Sequence, residues 1–206
     1  MSLARREALI AIARRHGLAI VEDDAYGRLP TTAPPPFAAL APERTFHLTG
    51  LAKYVGAGLR IAYLAAPDNR QATILRATAV MVSPLTAMLA TRWITDGTAD
   101  ATLLAVREES SARQRLLARQ AGMAKVQTHP EAFHAWLSLP APWRRGQFVE
   151  ALRRRGIGAV GSDVFAVTEA PPEAMRLCLG GPVDRDGLAN ALAVIADLLT
   201  DGPPST

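Results

Sequence analysis

The chain has 206 residues, 49% hydrophobic and 20% charged, which is enough apolar material for a core and excludes wholesale disorder. At roughly 150 residues per domain, this length suggests one domain or two small ones. Twenty-three basic against nineteen acidic residues leave a mild +4; with no helix-turn-helix pattern, zinc-finger spacing or aromatic-rich basic strand beside it, this segment is not expected to bind DNA itself.

Residues 2–17 read as an amphipathic helix, with Leu9, Ile12 and Ala13 on one face, arginines opposite, and Gly17 placed to end it. Residues 18–21 are an apolar run of strand length that opens into the acidic turn Glu22-Asp23-Asp24. A helix followed at once by a buried strand is the second half of an α/β unit. Five prolines make residues 29–42 a loop. Residues 45–49 resume strand character, residues 50–58 are punctuated by glycine, and residues 59–66 form a strand opened by Arg60 and ended by Pro67.

From residue 69 to residue 122 the pattern is helical, with breaks at Ser83-Pro84 and Asp96-Gly97. Its best apolar stretch falls short of the roughly 18 to 20 residues a membrane helix needs, because Ser83, Pro84 and Arg92 interrupt it. Beyond Gly122, residues 132–139 alternate like a half-exposed strand and residues 143–155 form a helix. An extended segment (156–167), a strand (175–179), an amphipathic helix (183–199) and a disordered tail (201–206) follow. This strand–helix–strand–strand–helix unit predicts a small α+β domain. The single cysteine, Cys178, reads as a core thiol and excludes an internal disulfide; the four histidines show no metal spacing, so no metal site is expected. The chain is expected to be soluble and cytoplasmic, with no membrane contact.

The cations are unevenly split: 21 arginines and two lysines, Lys53 and Lys125. Arginine keeps its proton in a protein, whereas a desolvated lysine becomes a neutral nucleophilic amine. Lys125 reads as a surface residue. Lys53 instead follows the second strand, Asp23 and Tyr26 follow the first, and Arg60 opens the third. In open parallel α/β sheets the ligand crevice lies beyond the carboxyl ends of the strands, so these residues can converge on one ligand. A carboxylate, a phenol, a lysine and an arginine together suit an anionic, carbonyl-bearing, nitrogen-containing cofactor. Pyridoxal phosphate needs a lysine for its Schiff base and an acid for its ring nitrogen, and its phosphate suits a bidentate arginine.

The chain resembles the fold-type-I pyridoxal-phosphate enzymes, aminotransferase class I/II. Most closely it resembles the aminotransferase-like domain of MocR-type (GntR-family) transcriptional regulators and 2-aminoadipate-type aminotransferases. The resemblance rests on Arg5-Arg6-Glu7-Ala8-Leu9 with His16, on Glu22-Asp23-Asp24-Ala25-Tyr26, on Lys53 through Arg60, and on Met175-Arg176-Leu177. It implies that Lys53 is the Schiff-base lysine and proton shuttle. It makes Asp23 the pyridinium partner, with neighbouring Asp24 as the competing choice. Tyr26 would donate to the ring phenolate oxygen, Arg60 would clamp the phosphate, and Arg176 would hold a substrate α-carboxylate. The implied substrates are an amino acid and a 2-oxo acid, and the implied assembly is a homodimer of the full-length protein.

The family usually has hydroxyl residues where this chain has Gly50 and Ala52, which leaves Thr49 as the substitute phosphate partner; Ala57 and Ala62 replace a proline and a glycine. Relatives also extend upstream of the helix that starts this chain. The expected fold is therefore α/β, a partial fold-type-I transferase. Residues 1–83 are the C-terminal part of the cofactor-binding large domain, residues 84–122 connecting helices, and residues 123–206 a small α+β domain. Three functional readings stand: the effector domain of a truncated MocR-type regulator, a fragment of a free aminotransferase, or a remnant that keeps only the fold. In each, the isolated chain is expected to turn over weakly or not at all.

Overall fold

The computed structural model describes residues 1–77, 82–120 and 125–203. The chain divides into two compact units, residues 1–106 and 107–206. The expected helix end at Gly122, residues 78–81 of the long helical stretch, and residues 204–206 of the tail lie outside the described residues. No described helix is long and apolar enough to cross a membrane.

The first unit opens with α1 (Leu3–Arg15), capped by Ser2, whose side chain accepts from the Arg5 N–H. Its buried residues are Ile10 and Ala13, while Ile12 is 44% exposed. The inward stripe is thus Arg6, Ile10 and Ala13 at helical spacing, and Arg6 reaches inward to an ion pair instead of facing solvent. Strand β1 (Ile20–Asp23) follows, then a four-residue helix α2 (Phe37–Leu40) inside the proline-rich stretch expected to be loop. Pro36, just before α2, has the extended backbone that suits the start of a helix.

Strand β2 (Thr45–Gly50) pairs parallel with β1, and β3 (Ala62–Ala65) pairs antiparallel with β2, Gly50 standing opposite Ala62. The sheet order is β1-β2-β3. Because β3 runs the opposite way, its start lies beside the end of β2. One end of the sheet therefore gathers the exits of β1 and β2 and the entry of β3. Arg60 does not open β3: it follows the turn Ala57–Leu59 and precedes the strand. Helices α3 (Asp68–Ala77) and α4 (Pro84–Thr95) come next, and the division between the units falls within α5 (Thr98–Ala118).

The second unit holds β4 (Val126–Thr128), β5 (His134–Ser138), α6 (Arg145–Arg153), β6 (Val160–Gly161), β7 (Ala174–Cys178) and α7 (Arg185–Asp201). Its antiparallel sheet has the order β4-β5-β7-β6. Strand β4 is an addition to the strand count read from the sequence, and part of the expected extended segment 156–167 is a 3-10 turn, Ser162–Phe165. One sheet face packs on α6 and α7 through Leu137, Met175, Phe148, Leu152, Leu192 and Ile195, all buried. The other face carries Trp136 and Arg176. Cys178 is exposed rather than a core thiol, because β7 alternates and residue 178 falls on the outward phase with Arg176.

Candidate functional site

A cavity of about 360 Å³ opens at the sheet end where the three strand termini meet. Among its lining residues are Asp23, Thr49, Lys53 and Ile61, with apolar walls from Val21 and Leu48. The turn that carries Lys53 is held from below. Leu51 and Tyr54 are buried, and the Leu51 carbonyl accepts from the N–H groups of Val55 and Gly56. Lys53 itself is exposed, and its Nζ stands 4.9 Å from the centre of the Tyr26 ring. That is cation–π distance, and it leaves the amine without a carboxylate partner among the described residues.

The two neighbouring aspartates separate cleanly. Asp23 lines the cavity, and its Oδ1 accepts from the Ala25 N–H at 3.1 Å, which fixes the chain's exit from β1. Asp24 folds back over Gly27, filling the space a side chain there would need, and its Oδ2 stands 3.8 Å from His47 Nε2. Burial, and then the charge of Glu22, push the Asp24 carboxyl above its ordinary value. The geometry thus gives Asp23 to the cavity and Asp24 to the turn.

Beneath this turn lies a network that the sequence reading missed. Glu22 is buried and accepts from the N–H groups of Phe37 (3.0 Å) and Ala38 (3.2 Å) and from Arg6 (2.9 Å), and it meets His47 Nδ1 at 3.1 Å. Burial alone would raise its pKa; the two backbone donors and His47 outweigh burial and hold it below the ordinary 4.5. An acid on the inward phase of a strand was the available signal, since Glu22 stands directly across from His47 in the pairing of β1 with β2.

Gly50 also has a local reason. A Cβ there would come within 2.8 Å of the Ile61 carbonyl oxygen, so the close approach of β2 to β3 leaves no room for a hydroxyl side chain. Thr49 is the hydroxyl residue that lines the cavity. Arg60 is exposed and is absent from the lining, although the next two residues, Ile61 and Ala62, belong to it. Its φ of 49° makes it the one non-glycine with a left-handed backbone among the described residues. Such a conformation costs on the order of 1 to 2 kcal/mol in an L-residue.

Arg176 belongs to the second unit. It sits on β7 with its Cζ 4.8 Å from the centre of the Phe165 ring. No group of histidine, cysteine and acidic residues suited to a metal occurs among the described residues.

The family described as aminotransferase class I and II matches residues 1–195. The chain is 30% identical over 206 residues to an uncharacterized HTH-type transcriptional regulator of Bacillus subtilis, YdeF, covering 98% of this chain and 44% of that protein. It is 30% identical over 168 residues to a second, YisV, covering 76% and 35%. Among solved structures, an archaeal alanine:glyoxylate aminotransferase superposes with TM-score 0.85 at 22% identity, over 98% of this chain and 52% of that one. The α-aminoadipate aminotransferase LysN of Thermus thermophilus, solved with N-(5'-phosphopyridoxyl)-L-leucine, gives 0.83 at 22% identity, over 97% and 55%. The fold is accordingly a partial fold-type-I transferase, and the chain spans about half the length of the proteins it matches.

Proposed function

We propose that the chain, which belongs to the aminotransferase class I and II family, is the C-terminal part of the cofactor-holding effector domain of a MocR-type transcriptional regulator. The observation that carries this is a cavity lined by Lys53, Asp23 and Thr49 together, with Tyr26 against the lysine. The donor set fits pyridoxal phosphate: a primary amine for its carbonyl carbon, a carboxylate for its ring nitrogen, and a hydroxyl near the sheet end for its phosphate. When bound, the cofactor supplies an electron sink for charge developing at a substrate Cα.

In this reading Lys53 would supply the amine that holds the cofactor's carbonyl carbon, and the same amine would serve as the base for the substrate Cα proton. Asp23 keeps the ring nitrogen protonated, a role for which its position in the cavity suits it better than Asp24. Tyr26 would donate its hydroxyl to the cofactor's ring oxygen, and its ring stands against the Lys53 amine. Thr49 and Arg60 hold the phosphate; the left-handed backbone at Arg60 is strain of the kind retained at ligand clamps. Arg176 takes the α-carboxylate of an amino acid or 2-oxo acid.

The regulator reading is favoured over a free aminotransferase by the B. subtilis relatives, which carry the HTH-type regulator description. The DNA-binding function and the homodimer belong to the full-length protein, in the cytoplasm; this segment by itself turns over an amino compound weakly or not at all. The test is to incubate the protein with pyridoxal phosphate, reduce with borohydride and locate the label by peptide mass. Label at Lys53, absent in Lys53→Ala, is the expected result. Equal labelling of Lys53 and Lys125 would sink the assignment, because Lys125 lies outside the cavity lining.

A further inference from the structure

Arg176 occupies an unusual setting for an arginine of this chain. It is half-buried, its Nε is buried without a hydrogen-bond partner, and among the described residues it makes no ion pair. Two acids of the same unit pair with other arginines instead. Glu173 holds Arg145 at 3.0 Å and Arg144 at 3.6 Å, and Asp163 holds Arg145 at 3.3 Å. What Arg176 does have is aromatic contact. The Phe165 ring lies 4.8 Å from its Cζ, and Phe165 meets Trp136 edge-on, with centroids 5.9 Å apart at 66°.

The scaffold fixes all three groups. Trp136 and Arg176 are direct partners across β5 and β7, and Val160 of β6 flanks Arg176 on its other side. Phe165 closes the turn Ser162–Phe165, which is tied down at its first two residues. The buried Ser162 hydroxyl donates to the Pro172 carbonyl, and Asp163 pairs with Arg145. Phe165 itself is 44% exposed, so its ring is not there to fill a core.

An aromatic face takes up one face of a guanidinium and leaves the in-plane N–H fork free, which is the edge a carboxylate meets through two parallel hydrogen bonds. We propose that Phe165, braced by Trp136, is a positioning residue that holds the Arg176 fork in the plane needed to receive a carboxylate. This rests on the reading of Arg176 as the carboxylate holder. It adds a residue that touches no substrate and acts through the arginine.

The experiment needs no cofactor. The Arg176 Nε–Hε resonance of the 206-residue chain is followed by NMR while potassium propionate is added, with propionamide and potassium chloride as controls. In the parent, the Hε signal is expected to be displaced by the ring current of Phe165 and to move with propionate but not with either control. Phe165→Leu is expected to lose the ring-current displacement and to weaken propionate binding by roughly three- to tenfold, with Phe165→Tyr within about twofold of the parent. If the parent responds to propionate and Phe165→Leu binds it equally well, the positioning role is overturned while the carboxylate role of Arg176 stands. If Phe165→Tyr is as weak as Phe165→Leu, the ring face is not what matters and the proposal also fails. If the parent resonance ignores propionate, the carboxylate role falls and the positioning role goes with it.

Discussion

Val21 and Phe148 mark two different kinds of packing in this chain. Phe148 is fully buried, edge-on to Trp143 at 4.8 Å, in a unit whose four-stranded sheet is covered on one face by two helices. Val21 is 71% exposed on a three-stranded sheet, and every residue of its β3 is exposed as well. The unit that packs itself carries a single candidate site residue, Arg176. The unit with the open sheet carries all the others, because strand ends that remain uncovered are where a ligand can be held. Apolar surface such as Val21, Tyr63 and Leu64 is a cost of that arrangement and an aggregation liability.

The sharpest way to break this contrast is by truncation. Phe148→Ala is expected to destabilise the second unit by about 3 to 5 kcal/mol, because it removes a large side chain that cannot be replaced by collapse. Val21→Ala is expected to change stability by less than about 0.5 kcal/mol. Urea unfolding followed by circular dichroism measures both. Comparable losses at the two positions would mean that the sheet of the first unit is covered in solution.

Elements on both sides of this contrast were readable from residue patterns, although the units divide after residue 106 and not at the expected 83 or 122. The alternation of residues 132–139 and the amphipathic run 183–199 predict the closed unit, and the acidic strand end with Lys53 predicts the open one. Three things were not readable, each for a physical reason. Strand β4 is three residues long, too short for alternation to show. The antiparallel direction of β3 leaves no mark in its composition, because an apolar strand reads the same in either direction. Arg6 looked like a solvated helix cation, since an inward arginine is recognisable only once its acid, Glu22, is known to be buried beside it. Of the expected site residues, Asp23, Thr49 and Lys53 line one cavity, whereas Arg60 stands before its strand instead of opening it.

Acid separates the two units further. Glu109 is held to about 2, first by hydrogen bonds from Arg185 and then by those from Arg113, a buried arginine that also donates to the Leu179 and Val183 carbonyls. The folded chain keeps this carboxylate charged at pH values where the unfolded chain has protonated it. Its stabilisation is therefore complete above the ordinary 4.5 and is lost as pH falls toward about 2. Glu22 is also lowered, but there burial is the largest single effect and opposes the lowering, whereas at Glu109 the arginine hydrogen bonds each exceed it, so the Glu22 contribution fades sooner below 4.5. Amide exchange along β1 and β2 is expected to accelerate at a higher pH than exchange along α7 and the last turns of α5. Glu109→Gln is expected to remove that difference. Simultaneous loss in both units, with and without the substitution, would show that the arginine pair contributes nothing.

The smallest effect tests the separation of the aspartates. Asp24 is an acid whose folded pKa is raised, first by burial and then by Glu22, so its charge is a mild burden that grows as pH rises past the ordinary 3.8. Asp24→Asn removes that burden and is expected to leave stability unchanged or higher by no more than about 0.5 kcal/mol, with Lys53 labelling by pyridoxal phosphate intact. Asp23→Asn, at an exposed position, is expected to leave stability equally untouched but to weaken labelling by roughly tenfold, the value of one lost charge-assisted hydrogen bond. Stability cannot tell the two substitutions apart and labelling can. If labelling instead fell with Asp24→Asn and held with Asp23→Asn, the turn at Gly27 would have to open and bring Asp24 into the cavity.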